Sequence, residues 1–362
     1  MAVQKEKTLK NLGLCARCRQ CRMVCEVPIA KTMLPICPSG EYFKYDSYFA
    51  SGRITLAKKL LQGQIDFDPS ILKLIYSCTL CGSCKQQCPI LGFDPMEATG
   101  VMRELAVERG LADDYYPAPS EKPLEVEITE DKSSSTALFI GCEAQSDAAS
   151  VNAAAKALKS SGAAFRILSG CCCGGYLLRK GDVKGFNLRK EENIALFKSM
   201  KLKEIITHDP MCYKVLKDDY DLESHGIKVT FYLEPVAKAL SEKAGKMPGS
   251  CRKAAYHDPC YLGRYMGVYD LPREVIKALG GYELVELKRE RENTLCCGGM
   301  PDWINAAADA ASAEIIKEAE EAGAELIITA CRNCRRQLAE TAEKIGSRIA
   351  VEDLSSLLER AI

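Results

Sequence analysis

The chain has little of what nucleic-acid-binding and membrane-spanning proteins use. Its charge is unbiased, with 49 Lys plus Arg against 49 Asp plus Glu, whereas a duplex-binding surface shows a basic excess. Aromatic residues make up only 7% of the chain, with a single Trp, too few for a base-stacking platform. Nucleic acid is therefore not expected as a partner. The sequence contains no run of about 18 apolar residues that could span a bilayer. Met1 to Lys10 is polar and charged, without the apolar core of a signal peptide. No G-x-G-x-x-G opens a helix after a strand and no P-loop occurs, so no site for an organic hydride cofactor is expected. These absences suggest a soluble cytoplasmic protein in a reducing compartment, with membrane attachment only through a partner subunit.

What the chain does have is cysteine, 20 in 362 residues. In a short secreted chain that number would suggest a disulfide scaffold. Here the cysteines cluster at metal-ligand spacings. Cys15-x2-Cys18-x2-Cys21-x3-Cys25 is followed by Cys78-x2-Cys81-x2-Cys84-x3-Cys88 and Pro89, the spacing of bacterial ferredoxins. Zinc commonly takes two separated C-x2-C pairs, and two complete four-cysteine runs point away from it. Where two runs coexist, the fourth thiolate of each cluster usually comes from the other run. One [4Fe–4S] cluster is thus expected on Cys15, Cys18, Cys21 and Cys88, and a second on Cys78, Cys81, Cys84 and Cys25. Cys25 is followed by Glu26 in place of proline, a departure in the exit turn. Cys37, in Ile36-Cys37-Pro38, belongs to neither run and is read as a buried or free thiol. Between the runs, Arg53 to Leu61 carries apolar residues at helical spacing. This layout resembles the helical ferredoxin domain of succinate dehydrogenase iron–sulfur subunits.

Residues 111 to 135 read as a linker, with Pro117, Pro119, Pro123 and Ser133-Ser134-Ser135 and no sustained apolar period. The pattern then changes to short apolar strands alternating with amphipathic helices, and it repeats at an offset of about 120 residues. Ala137 to Cys142 is answered by Ala254 to Cys260, and Cys172-Cys173-Gly174-Gly175 by Cys296-Cys297-Gly298-Gly299. Ile205-Ile206-Thr207 with Cys212 is answered by Ile327-Ile328-Thr329 with Cys331 and Cys334. Ile227 to Leu240 matches Ser347 to Leu358 as strand then helix. Asp302 to Ala322 reads as a helix, with Asp302 as N-cap, Ile304, Ala308, Ala311 and Ile315 on one face and Gly323 just past its end. Leu326 to Thr329 is then a buried strand delivering Cys331 and Cys334, with a helix continuing from Arg335. Each unit is expected to gather its cysteines at one edge of a small, mostly parallel sheet, where open α/β sheets place their ligands.

Cys260, Cys296-Cys297-Gly298-Gly299 and Cys331-x2-Cys334 resemble the CCG domain of heterodisulfide reductase subunits. The same domain occurs in iron–sulfur subunits of anaerobic glycerol-3-phosphate, glycolate and lactate oxidation systems. The order of two ferredoxin runs, linker and two CCG modules is similar to the D-type heterodisulfide reductase subunit over essentially the whole chain. The resemblance implies an α+β multidomain fold: a helical ferredoxin-like domain over 1–110, a linker over 111–135, and duplicated α/β modules over 136–246 and 247–362. It also implies a noncubane [4Fe–4S] cluster on Cys260, Cys296, Cys297, Cys331 and Cys334. Five thiolates exceed a tetrahedral zinc site. Gly298, Gly299, Gly174 and Gly175 would let the backbone turn sharply and come close to a cluster or a substrate sulfur.

The first module departs from this pattern, with Asp209 standing where the repeat has Cys331. Cys142, Cys172, Cys173 and Cys212 match the other thiolates. Two readings stay open: a further iron–sulfur cluster with Asp209 as a harder oxygen ligand, or a degenerate module kept for shape or docking. Cys171 could replace a ligand through a one-residue shift, and Cys251 is unassigned. His257 is read first as holding the adjacent turn and second as a proton donor near the cluster; His208 has the same two readings.

The function expected is electron transfer within a multi-subunit oxidoreductase. Its partner would be a flavoprotein dehydrogenase, a hydrogenase or a membrane cytochrome subunit. The alternative is catalysis, with a disulfide cleaved, or a thiol pair oxidised, at the second module. A redox-inert zinc scaffold is the third and weakest reading.

Overall fold

Aspartates placed just before apolar-faced segments set several helix starts. Asp68 accepts hydrogen bonds from the Ser70 and Ile71 amides at 2.8 and 2.9 Å, Asp147 from Ser150 at 3.2 Å, and Asp182 from Gly185 at 2.8 Å. Each satisfies amide donors that a helix leaves free in its first turn. A computed structural model describes residues 2–24, 33–116, 126–127, 130–142, 147–242, 251–299 and 305–361. Cys25, Asp302, Ile304 and, within the expected linker, residues 117–125 and 128–129 lie outside the described residues.

The front region is helical: α1 (Ala2–Gly13), α2 (Pro38–Phe43), α3 (Ala50–Leu61), α4 (Pro69–Tyr76), α5 (Ser83–Gln86) and α6 (Glu97–Glu108), with a short hairpin of β1 (Met23–Val24) and β2 (Leu34–Pro35). Helix α3 contains the stretch expected to be helical. It buries Ile54, Ala57, Leu60 and Leu61 against Leu12, Leu72, Ile75, Ala98, Met102 and Ala106.

Two four-stranded sheets follow. The first comprises β3 (Thr136–Phe139), β4 (Arg166–Leu168), β5 (Glu204–Thr207) and β6 (Lys228–Phe231), in the order β4-β3-β5-β6. Its helices are α7 (Ala148–Ser160), α8 (Gly175–Lys180), α9 (Val183–Ser199), α10 (Pro210–Lys214) and α11 (Leu233–Glu242). The second comprises β7 (Arg252–Tyr256), β8 (Tyr282–Val285), β9 (Leu326–Thr329) and β10 (Ala350–Asp353), in the order β10-β9-β7-β8. Its helices are α12 (Asp270–Leu279), α13 (Asn305–Glu321), α14 (Arg332–Ile345) and α15 (Leu354–Ala361).

Aligning β3 with β7 makes the two orders identical, as a duplication requires. Every pairing within both sheets is parallel. The central strands are covered on both faces, which is why Ala137-Leu138-Phe139 and Leu326-Ile327-Ile328 read as unbroken apolar runs. The edge strands β4 and β8 were not foreseen. Arg166-Ile167-Leu168 and Tyr282-Glu283-Leu284-Val285 are half-buried and short, so neither shows a full apolar run. The expected helix from Arg335 begins three residues earlier, placing Cys334 in the first turn of α14.

The modules join through equivalent helices. Helix α15 packs on α7, and α11 packs on α12; in the repeat α7 corresponds to α12 and α11 to α15. The contact therefore approximates an isologous, two-fold interface. Leu354, Leu357 and Leu358 are fully buried in it together with Val151 and Ala154, each leucine contributing roughly 1.5–3 kcal/mol by burial.

Candidate metal centres

The two front runs share one loop shape. Arg17 (φ 54°) and Arg19 (φ 68°) in the first run, and Leu80 (φ 49°) and Gly82 (φ 81°) in the second, sit at corresponding positions in the left-handed region. For a residue with a Cβ this costs roughly 1–2 kcal/mol, a strain accepted where successive thiols must turn to one side. Helix α5, which carries Cys84, packs against the turn at Gln20–Arg22, which carries Cys21, so the runs face one another. Cys18 is exposed, while Cys15, Cys21, Cys78, Cys84 and Cys88 are half-buried and Cys81 is buried. Burial, followed by the neighbouring Cys78, Cys81, Cys37 and Cys21, pushes the Cys84 thiol well above its ordinary value. Burial alike pushes Cys37 up to about 12. Cys78, Cys81, Cys84 and Cys37 line one cavity. The buried Arg103 guanidinium donates to the Ile75 carbonyl at 3.0 Å and to the Cys78 carbonyl at 2.6 Å.

Both modules deliver their cysteines from the C-terminal ends of parallel strands. The two cysteines of each pair go to different partners. In the first module Cys172 Sγ lies 3.2 Å from Cys142 Sγ, and Cys173 Sγ lies 3.4 Å from Cys212 Sγ. In the second, Cys296 contacts Cys260, and Cys297 Sγ lies 3.3 Å from Cys334 Sγ. Cys331 contacts Cys334 in turn. Among the described residues all these cysteines are free thiols.

The glycines act through their amides. Gly174 and Gly175 donate to Cys172 and Cys173 Sγ at 3.3 and 3.5 Å. Gly298 and Gly299 donate to Cys296 and Cys297 Sγ at 3.4 and 3.3 Å. Donors aimed at sulfur favour the thiolate, the form that binds metal. The contact with Cys142, then that with Cys173, draws Cys172 down to about 3. Gly298 (φ 76°) supplies the expected sharp turn, but the close approach it permits is to helix α13, where a Cβ would sit 2.7 Å from Ala308 Cα.

The modules differ at the fifth position. Asp209 and Cys331 both occupy the N-cap after the corresponding strand. Asp209 Oδ1 accepts the Cys212 amide at 2.9 Å, so one carboxylate oxygen caps α10. Asp209 also lines a small pocket with Cys142, His208, Cys212 and Arg332. Arg332 comes from the second module, so the first site lies close to the module interface. Burial, then Arg332, lowers His208 to about 4. His257, 1% exposed, contacts Cys297 through its ring, and its Nδ1 has no hydrogen-bond partner. Its backbone amide donates to the Ile328 carbonyl at 2.9 Å, so it holds the turn and faces the thiols at once. Asp258, between His257 and Cys260, is gripped by Arg273 at 2.7 and 2.9 Å. Arg273 also donates to both oxygens of Glu286 at 2.9 Å. Cys171 is half-buried and Cys251 exposed.

A junction the sequence did not reveal connects the front region to the second module. Cys81 contacts Cys296, so a thiol of the second run touches the Cys296–Cys260 pair. Arg264 bridges the same place, donating to the Cys81 carbonyl at 2.8 Å and the Thr294 carbonyl at 2.6 Å. Gln87 donates to Asn293 at 2.8 Å nearby. Buried Arg179, on α8, donates to the Thr79 carbonyl at 2.8 Å, to Tyr116 at 2.8 Å and to Tyr261 at 2.7 Å, tying the front region and both modules together.

Residues 136–217 and 254–339 each match the cysteine-rich CCG domain, and residues 11–91 match the 4Fe–4S dicluster domain. The chain is 28% identical to the D-type subunit of the dihydromethanophenazine:CoB–CoM heterodisulfide reductase of Methanosarcina barkeri, over 98% of this chain and 95% of that one. It is 31% identical to the EtfAB:quinone oxidoreductase of Syntrophomonas wolfei over 53% of this chain and 28% of that one. A crystal structure of a hypothetical protein from Helicobacter pylori shares the fold, with a TM-score of 0.51 at 11% identity, covering 86% of this chain and 68% of that one. Among the described residues no helix is long and apolar enough to cross a membrane.

Proposed function

We infer the function of this chain from its family: it belongs to the CCG-domain iron–sulfur oxidoreductase subunits, and we propose that it carries electrons between a redox partner subunit and its second module. The observation that carries this reading is the Cys81–Cys296 contact. The donor sets fit iron–sulfur clusters: two four-cysteine runs, and five thiols in the second module where zinc would take four. Bound there, such clusters supply sites that accept and release single electrons.

The protein's own residues do the rest. Cys15, Cys18, Cys21 and Cys88 would hold one group and Cys78, Cys81 and Cys84 the other. Cys260, Cys296, Cys297, Cys331 and Cys334 would hold a noncubane [4Fe–4S] cluster. Cys142, Cys172, Cys173 and Cys212, with Asp209, would either hold a further iron–sulfur cluster or form a degenerate site kept for shape and docking. Gly298 and Gly299 orient amides onto sulfur, and Arg264 fixes the spacing between the Cys81 loop and the Thr294 loop. The partner would be a flavoprotein dehydrogenase, a hydrogenase or a membrane cytochrome subunit, with the chain cytoplasmic and peripheral to the membrane when that partner is anchored.

The test is iron and acid-labile sulfide content of anaerobically purified chain, paired with EPR of oxidised and reduced forms. About 12 to 16 irons with a species beyond the cubane signals supports loaded modules. About eight irons and only cubane signals after reconstitution would confine redox chemistry to the front region and sink the proposed path.

A second reading, disulfide reduction at the second module, is favoured by the five-thiol set being complete only there and by the buried His257 ring beside it. A disulfide taking two electrons and two protons leaves as two thiols. Absence of disulfide turnover by the loaded chain with an artificial reductant would rule it out.

A further inference from the structure

Cys37 lies outside both four-cysteine runs, yet the structure does not leave it among core residues as an idle thiol. It lines the cavity that Cys78, Cys81 and Cys84 line, together with Ile36, Pro95 and Met96. We propose that Cys37 supplies the fourth thiolate for the cluster held by Cys78, Cys81 and Cys84, in the place where run spacing alone puts Cys25. The inference rests on the two-cluster reading of the front region.

Three independent features support it. The first is position: these four thiols line one cavity, whose walls are otherwise mainly apolar, the setting in which a thiolate-held cluster is shielded from water. Cys88, the last cysteine of the second run, does not line that cavity, in keeping with its assignment to the other cluster.

The second is local backbone chemistry. Cys37 is the N-cap of α2, in extended conformation (φ −103°, ψ 102°), with Pro38 opening the helix and the Gly40 amide donating to its Sγ at 3.4 Å. Proline restricts the residue before it to extended backbone, and the amide of the first turn steadies negative charge on sulfur. The same Cys-Pro step closes the second run at Cys88-Pro89, whereas Cys25 is followed by Glu26.

The third is a charge without a counter-charge among the described residues. Arg53, 2% exposed, spans the cavity wall. Its Nη2 donates to Ser39 Oγ and Ser77 Oγ at 2.9 Å and to the Leu74 carbonyl at 3.2 Å, and its Nη1 donates to the Tyr48 carbonyl. Every one of these acceptors is neutral. A buried cation is costly unless paired with an anion, and Cys37 ligated as thiolate places negative charge beside it.

The experiment compares Cys37→Ser, Cys25→Ser and, as a control at an exposed thiol, Cys251→Ser, each in the full chain purified anaerobically. Iron, acid-labile sulfide and the EPR spectrum of the reduced form are measured. Expected is a loss of between about one and four irons per chain in Cys37→Ser, with the signals of the other clusters kept. Cys25→Ser should match the parent and Cys251→Ser. Loss in Cys25→Ser with full content in Cys37→Ser would overturn the proposal. If Cys37→Ser loses every signal, Cys37→Asp, which offers an oxygen ligand, should restore iron to the second-run site with an altered spectrum. Failure to restore it overturns the proposal too. A parent chain that holds no iron or sulfide even after reconstitution would instead sink the two-cluster reading itself.

Discussion

The two CCG modules are the same fold with the same four paired thiols, yet among the described residues only the second touches the front region through sulfur. The first has Cys142–Cys172 and Cys173–Cys212, and the second has the corresponding Cys260–Cys296 and Cys297–Cys334. What separates them is a fifth thiol, Cys331 in place of Asp209, and the approach of Cys81 to Cys296. Duplication supplied two equivalent cradles, and a single front domain with one Cys81 loop meets only one of them. The complete five-thiol set and the contact with the front region thus fall on the same module, which is the module where the proposed electron path would end.

Breaking the second module should have the largest effect. Cys334→Ser is expected to abolish the EPR species assigned to that module while leaving the two cubane signals, whereas Cys212→Ser should leave the second-module species intact. Simultaneous loss of all signals in Cys334→Ser would contradict modular loading.

The glycines allow a second comparison, in stability. A Cβ at Gly298 would meet Ala308 Cα at 2.7 Å, whereas at Gly174 the nearest atom is the Phe186 ring at 3.1 Å. Both have positive φ. Gly298→Ala should therefore cost about 3 kcal/mol or more through strain plus clash, and Gly174→Ala about 1–2 kcal/mol, in denaturant unfolding. Equal costs would mean α13 yields as readily as a side chain.

A third prediction concerns pH. In the Arg273 cluster of the second module, burial and then the neighbouring Glu286 raise Glu290 to about 8 from 4.5. Between those values the folded protein holds a proton that the unfolded chain has released, so this contribution is full below about pH 4.5 and is lost as pH rises through 8. Glu290→Gln should flatten the fall in stability from pH 5 to 8. An unchanged slope in urea titrations would remove Glu290 as its source.

The smallest effect separates the two roles of Asp209. Asp209→Ala should lose a helix cap worth about 1 kcal/mol, and Asp209→Asn should keep it. Iron content unchanged in both would show that the first module does not need Asp209 as a ligand.

Much of this was legible because ligand spacing and strand hydrophobicity are local properties. The runs at Cys15 and Cys78, the repeated Cys-Cys-Gly-Gly turns and the buried strands β3 and β9 are all written in consecutive residues. Edge strands β4 and β8 escaped because half-buried segments of three or four residues carry little period. Cys81 meeting Cys296 could not be read, since it depends on how the front region docks. The buried positions of Arg264, Arg179 and Arg53 carry no mark in the sequence, because a buried guanidinium is distinguished only by its acceptors. The step Cys37-Pro38, on which the Cys37 proposal partly rests, repeats Cys88-Pro89 and is visible in the sequence.

Arg179 has a consequence for how the molecule opens. Its guanidinium is 3% exposed and reaches acceptors in the front region, in the following connector and in the second module while standing on the first. Detaching any one of these parts strips a buried charge of partners, costing several kcal/mol. The three regions should thus behave as one cooperative foldon. Amides of α8, of the Thr79 loop and of β7 are expected to exchange hydrogen at a common opening free energy, and Arg179→Met should let them separate into distinct exchange classes.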